Sequence, residues 1–165
     1  MIIGLISDTH DNLTLVEKAV NKINEEKAEL VLHAGDYTSP FTIAKFKALD
    51  CKLIGVFGNN DGDHELLKKR FNETQNCEIH GMFAEVNANG FKIALHHGEE
   101  TELQNALVNC GGFDCVISGH THIPVNKTKD NTLVVCPGEV CGYLYGKPTL
   151  GLLDTTKREA KIVQI

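Results

Sequence analysis

"IIGLISDTHDNLTLVEKAVNKI", residues 2–23, decides how this chain is read. Its first five residues form a continuous apolar run of β type, SDTHDN is polar, and Leu13, Val16, Val20 and Ile23 then keep the 3, 4, 3 spacing of one helical face. The spacing predicts strand, loop and helix in that order. Leu30–Ala34 and GDYTSP repeat the pattern, with Ser39 as a cap, Pro40 suited to a first helical turn, and Phe41, Ala44 and Ala48 on one face. A third unit joins Leu53–Phe57 to GNNDGD and a polar helix around Glu65–Phe71.

The character then changes. Met82–Val86 and Phe91–His97 are separated by NANG, whose Asn-Gly dipeptide is a strong local hairpin signal. A helix at Glu102–Cys110 leads into a strand at Cys115–Ser118, with further strands near Val125, Leu133–Cys136, Thr149–Leu153 and Lys161–Ile165. Buried parallel strands come first and antiparallel ones later, which predicts an α/β protein with two sheets packed between helices. No repeat, linker or low-complexity tract interrupts the 165 residues, so one domain spanning 1–165 is expected, large enough to bury a core.

The net charge of −6, with Lys and Arg scattered along the chain, argues against a long nucleic acid held by its phosphates and leaves room for a small anionic substrate. Cys51, Cys77, Cys110, Cys115, Cys136 and Cys141 contain no C-x-x-C and fit neither a zinc ribbon nor a thioredoxin-type motif, so reduced, mostly buried thiols are expected. The start, MIIGLISDTH, lacks a basic stretch, and its apolar run is too short for a signal peptide or a membrane span. The expectation is a cytoplasmic protein without a membrane partner; a homo-oligomer is left open.

The unusual polar residues all follow apolar strands: Asp8 and His10, Gly35 and Asp36, Asn59 to Asp61, His96 and His97, His120 and His122. In α/β sheets the carboxyl ends of the strands share one edge, so groups far apart in sequence can converge there. Within Asp8-x-His10 and His120-x-His122 the partners are two apart, and in extended backbone both side chains of a pair face the same side. Carboxylate, imidazole and amide oxygen without thiolate suit manganese, iron, zinc, nickel or cobalt. Asp8, His10, Asp36, Asn59, one of His96 and His97, His120 and His122 exceed what a single ion needs; paired ions ~3.5–4 Å apart with a shared carboxylate would use them all.

D-x-H (8–10), GD (35–36), GN-x-D (58–61), H-G (97–98) and GHTH (119–122) together resemble the ordered signature of calcineurin-like metallophosphoesterases, over nearly the whole chain. The short length is similar to the minimal prokaryotic phosphodiesterases of that superfamily, which share their fold with the retromer scaffold subunit. The resemblance implies a four-layer α-β-β-α sandwich of two packed mixed sheets flanked by helices. It also implies that Asp8, His10 and His122 bind one metal, that Asn59, His97 and His120 bind the other, and that Asp36 bridges them, with Mn2+ as the expected ion and Ni2+, Fe2+, Zn2+ or Co2+ as alternatives. His97 is chosen because the family's ligand directly precedes a glycine; His96 is then a packing or supporting residue, and His33, His64 and His80 are expected in loops or at the surface.

One departure concerns the family's GNHD, whose histidine donates a proton or contacts the phosphate; this chain has Asn60 there, which can hydrogen-bond but cannot act as a general acid. Asp61 is read as orienting that loop or as an ordinary turn aspartate. Gly35 and Gly58 either let the backbone approach the metals or simply form tight turns. Lys147 and Arg158 are expected as solvated cations, and Glu99 and Glu139 receive no role.

Two divalent ions bring four positive charges, Asp8 and Asp36 remove two, and a hydroxide with a singly charged diester balances the rest. The expected function is therefore a metal-dependent phosphodiesterase acting on a small phosphate ester through a hydroxide activated by two metals. The alternatives are a metal-dependent phosphomonoesterase or nucleotide phosphatase, and a non-catalytic interaction scaffold of the same fold.

Overall fold

The computed structural model describes residues 1–165. In chain order the first elements are β1 (Ile2–Ile6), α1 (Leu13–Glu25), β2 (Leu30–His33), a 3-10 helix (Thr42–Ala48), β3 (Lys52–Gly55), α2 (His64–Asn72) and β4 (Cys77–Ile79). Then come β5 (Phe83–Ala88), β6 (Phe91–His96), α3 (Thr101–Asn109), β7 (Cys115–Ile117), β8 (Val125–Lys129), β9 (Thr132–Cys136), β10 (Thr149–Asp154) and β11 (Glu159–Gln164). They form a six-stranded sheet in the order β11-β10-β1-β2-β3-β4 and a five-stranded sheet in the order β5-β6-β7-β9-β8.

Strand alternation sorts the apolar residues into layers. Ile3 and Leu5 of β1 and Leu30 and Leu32 of β2 meet Ile93, Leu95, Ile117 and Val135 of the other sheet in the central core. Their neighbours Ile6 and Val31 point the opposite way, against Val16, Val20 and Ile23 of α1 and against Phe46, Leu67 and Phe71. Ala94, Val116 and Val134 face outward from the second sheet and pack on Val108 of α3. Both faces are therefore covered at the central strands, which is why β1, β2 and β9 are predominantly apolar along their length. The architecture is the expected α-β-β-α sandwich of two mixed sheets.

Local chemistry explains the element ends. Asn12 caps α1 by accepting a hydrogen bond from the Leu15 amide (3.3 Å), and Asp63 caps α2 through the Leu66 amide (2.9 Å). Ala88 pairs with Phe91, leaving Asn89 and Gly90 as a two-residue hairpin loop with φ of 56° and 91°, the positive values that this turn demands.

Three details differ from expectation. The segment after Asp36 leads into a 3-10 helix in which buried Ile43 and Phe46, with Leu49 just beyond its end, recur every third position. Phe41, Ala44 and Ala48 are all exposed instead, Phe41 by 77%. Parallel and antiparallel pairing are not divided between early and late strands either: the first sheet is parallel from β1 to β4, with β10 returning antiparallel to β1 and β11 antiparallel to β10, and the second has parallel β6, β7 and β9 between antiparallel β5 and β8. β4, only three residues long, had no separate signal in the sequence. No helix is long and apolar enough to cross a membrane.

A Cβ on Gly90 would meet nothing within 4 Å, so Gly90→Ala tests the backbone alone. The expected loss is about 1–2 kcal/mol, the cost of a left-handed non-glycine residue, seen as a lower urea midpoint at unchanged slope.

Candidate metal centre

Asp8 follows β1, Asp36 follows β2, Asn59 follows β3, His97 follows β6 and His120 follows β7, so both sheets deliver polar residues from the ends of parallel strands. Backbone hydrogen bonds lock these loops together. The amides of Thr9 and His10 donate to the Asp36 carbonyl (3.0 and 3.1 Å), Gly119 donates to the His97 carbonyl (2.6 Å), and Cys141 donates to the Asp8 carbonyl (3.0 Å). The His120 amide also donates to Asp8 Oδ2 (3.1 Å), which ties the two sheets at the site itself.

The side chains gather in two groups. In the first, His122 Nε2 lies 3.3 Å from Asp8 Oδ1, and His10 Nε2 lies 3.8 Å from Asp8 Oδ1 and 3.3 Å from Asp36 Oδ2. In the second, Asn59 Oδ1 is 2.9 Å from both His97 Nε2 and His120 Nδ1, while His97 Nε2 is 3.4 Å from Asp36 Oδ2. Asp36 Oδ2 thus belongs to both. Donors about 2.0–2.1 Å from one cation stand about 2.9–3.4 Å apart, and all but the 3.8 Å His10–Asp8 separation fall in that interval. Asp8 Oδ1 and His10 Nε2 are buried without any hydrogen-bond partner, an arrangement that costs free energy unless a cation or equivalent group satisfies it. The donor set fits divalent metal ions.

The way these residues converge differs from the sequence expectation. Asp8, His10, Asp36, His120 and His122 all have positive φ, between 38° and 65°, so the D-x-H and H-x-H pairs are turned inward by left-handed backbone and not by strand alternation. Such conformations cost of order 1–3 kcal/mol each where unfavourable and persist only under surrounding constraint. Asp61 supplies much of it: Oδ2 accepts from the Gly58 and Asp36 amides (2.8 and 3.1 Å) and Oδ1 from the Thr38 amide (2.7 Å). Asn60 donates its backbone amide to Asp36 Oδ1 (2.9 Å) and its side-chain amide to Asp36 Oδ2 (2.7 Å). At Gly58 a Cβ would come within 2.2 Å of Asp36 Oδ1, so the close approach of these loops requires glycine there.

The electrostatics follow from proximity. Burial disfavours the imidazolium of His97, but the hydrogen bond and charge of Asp36, helped by Asp8 and the Ala34 carbonyl, outweigh it and raise its pKa to about 9. Burial likewise opposes the Asp36 carboxylate, yet His97 and the two Asn60 contacts hold it well below the ordinary carboxylate range. The nearby Asp8 carboxylate, with Asp36 beyond it, raises His10, with burial working against it.

The remaining residues sort plainly. His96 is buried at the end of β6. His80 is exposed beside Glu78 (3.3 Å), and His64 stacks on Phe57 at 3.9 Å. His33 corrects the expectation of a loop or surface residue: it is fully buried in β2, stacked on Tyr37 at 3.9 Å, with Nδ1 accepting from the Gly35 amide (3.1 Å). Arg158 pairs with Asp114 (2.7 Å), and Lys147 is exposed. Two residues were missed. Glu139 touches His122 Nδ1 at 2.7 Å, and Cys141 brings a thiol within 4.8 Å of the donor nitrogens of His10 and His122. Glu139 follows β9 as the other site residues follow their strands, and that placement was the available signal.

Residues 1–158 match the calcineurin-like phosphoesterase superfamily domain. A protein of Methanocaldococcus jannaschii named a phosphodiesterase is 41% identical over 159 residues, covering 96% of each chain. A solved structure described as a novel archaeal phosphodiesterase superposes with a TM-score of 0.96 at 39% identity over 100% of both chains. Vacuolar protein sorting 29 from Cryptosporidium parvum shares the fold, with a TM-score of 0.67 at 17% identity over 99% of this chain and 96% of that one.

The His97–Asp36 pair makes a signed pH prediction for the metal-free protein. Because His97 is raised from 6.5 to about 9, its contribution to stability is fully present below 6.5 and is lost as the pH rises through 9. Asp36, depressed from 3.8, contributes above that value and ceases to do so in stronger acid. Thermal unfolding should therefore show a melting temperature that declines between about pH 6.5 and pH 9. Since a ligand imidazole must be unprotonated, calorimetric titration with Mn2+ at about pH 7.5 in buffers of different ionisation heat should reveal proton release.

Proposed function

The chain belongs to the calcineurin-like phosphoesterase superfamily and is a metal-dependent phosphoesterase; we propose that it cleaves phosphodiesters at a centre built for two divalent cations. The observation that carries this reading is Asp36 Oδ2, which faces His10 Nε2 at 3.3 Å on one side and His97 Nε2 at 3.4 Å on the other. Asp8, His10 and His122 would hold one ion, Asn59, His97 and His120 the second, and Asp36 both. Carboxylate, imidazole and amide donors suit manganese, nickel, iron, zinc or cobalt, and Mn2+ is the ion the family resemblance leads one to expect. When bound, such ions supply Lewis acidity to phosphoryl oxygens and lower the pKa of water from ~15.7 towards ~7.

The protein's own groups perform the positioning. Asp61 fixes the loop that carries Asn59 to the loop that carries Asp36. Thr38 Oγ1 at 3.0 Å and the Ala34 carbonyl at 2.7 Å engage the outer nitrogens of His10 and His97, which directs Nε2 of each ring inward. The polar contacts of the site run to carboxylates, imidazoles, amides, a hydroxyl and backbone groups, and Glu139 adds a fourth buried carboxylate, after Asp8, Asp36 and Asp61, behind His122. A monoanionic diester suits that balance better than a dianionic monoester, which would find no Arg or Lys among these contacts. Asn60 replaces the histidine of the family's GNHD pattern, and its amide, which donates to Asp36 Oδ2, cannot act as a general acid.

Asp36→Ala or His97→Ala should lower Mn2+-stimulated hydrolysis of bis(p-nitrophenyl) phosphate by about 10²-fold or more; turnover retained at the wild-type level would refute the assignment. Across a series of aryl diesters, the rate should fall steeply as the leaving-group pKa rises, because Asn60 offers no general acid. A flat dependence would show that another group protonates the leaving oxygen.

A further inference from the structure

Glu139 occupies a position that neither the signature motifs nor the metal assignment uses. It is 1% exposed, and its Oε2 accepts a hydrogen bond from His122 Nδ1 at 2.7 Å, which leaves the lone pair of Nε2 aimed into the first group of donors. The same carboxylate has other duties. Oε1 accepts from the Tyr145 amide (2.7 Å), and Oε2 accepts from the Leu144 amide (3.1 Å) and the Cys141 thiol (3.4 Å). The segment so held is conspicuously apolar for a surface: Tyr143, Leu144 and Tyr145 are 62%, 66% and 53% exposed. Its approach is anchored too, since Val140 and Cys141 donate to the carbonyls of Ser7 and Asp8 at 3.1 and 3.0 Å.

The outer nitrogens of the other inward-facing imidazoles meet neutral partners, a hydroxyl for His10 and a carbonyl for His97. Only His122 is backed by a carboxylate. The first group consequently has the carboxylates of Asp8, Asp36 and Glu139 around it, whereas Asp36 is the one carboxylate in side-chain contact with the second, beside Asn59, His97 and His120. A cation drawing electron density from His122 makes its Nδ1–H a stronger donor to Glu139, and Glu139 is in turn the acceptor for two amides of the exposed segment. Coupling of this kind is reciprocal.

We propose that Glu139 is a positioning residue that tightens the metal position formed by Asp8, His10 and His122 and ties the order of the Tyr143–Tyr145 segment to occupancy of that position. The proposal rests on the reading of His122 as a metal ligand. The chain lacks Trp and has three Tyr, of which Tyr37 is buried and the other two lie in this segment, so tyrosine emission reports on it directly.

The test is titration of the full-length metal-free protein with Zn2+, which is diamagnetic, following heat and tyrosine anisotropy together. Wild type should bind in two steps, with the tighter step accompanied by a rise in anisotropy. Glu139→Gln should weaken the tighter step by about 10–100-fold, leave the weaker step within about 3-fold, and abolish the anisotropy change. Should the Gln variant fail to fold, Glu139→Asp keeps the charge and withdraws it by one methylene; a smaller weakening, of about 3–10-fold, confined to the same step is expected. Replacing both Tyr143 and Tyr145 by Phe should leave both affinities unchanged and remove the optical signal. A Gln variant that binds and reports like wild type overturns the proposal and leaves the metal centre standing, whereas a wild type that binds no Zn2+ overturns both. Weakened binding with an intact anisotropy change overturns the coupling to the segment.

Discussion

One carboxylate organises the polar end of this molecule. Asp36 turns Oδ2 toward two sets of imidazoles at once, and it keeps that direction because Asn60 grips both of its oxygens while Asp61 holds its amide from behind. Placing it there requires the β2 and β3 loops to touch, and Gly58 is the residue whose missing side chain allows the contact. Without these supports nothing would keep Asp36 facing both sets of imidazoles.

Stability and chemistry pull in opposite directions at this edge. Behind it, Ile3, Leu5, Leu30 and Leu32 interlock with the second sheet, each fully buried aliphatic side chain contributing about 1.5–3 kcal/mol. In front of it, partnerless buried atoms on Asp8 and His10 and five residues of left-handed backbone consume part of that gain. The sandwich is thus a rigid clamp: the apolar layers hold in place a polar cluster that would not assemble by itself.

Much of this was readable from the chain alone, for identifiable reasons. Ile2–Ile6 announced a doubly covered strand because both of its faces are apolar, and NANG announced its hairpin because few dipeptides accept two consecutive positive φ values. The site residues stood out because each came directly after such a strand. Other features left no mark. Phe41, Ala44 and Ala48 carry helical spacing yet face water, since a three-residue repeat in Ile43, Phe46 and Leu49 took the inside. His33 lies at a strand end like the site histidines, but Tyr37 covers it, a tertiary contact that spacing does not encode. Glu139 was indistinguishable from Glu99 until its contact with His122 was visible, because glutamate is ordinarily a solvated residue.

The left-handed backbone at Asp8, His10, Asp36, His120 and His122 carries an evolutionary corollary. Among residues other than glycine, Asn, Asp and His are the ones most at home in that region, so the chain filters substitutions by conformation before chemistry is consulted. Conversion to Val, Ile or Thr is penalised twice, whereas drift to Asn or Gly keeps the loop shape while discarding charge or donor. A lineage relinquishing hydrolysis could therefore erode these positions one at a time and retain an undistorted surface for some other use.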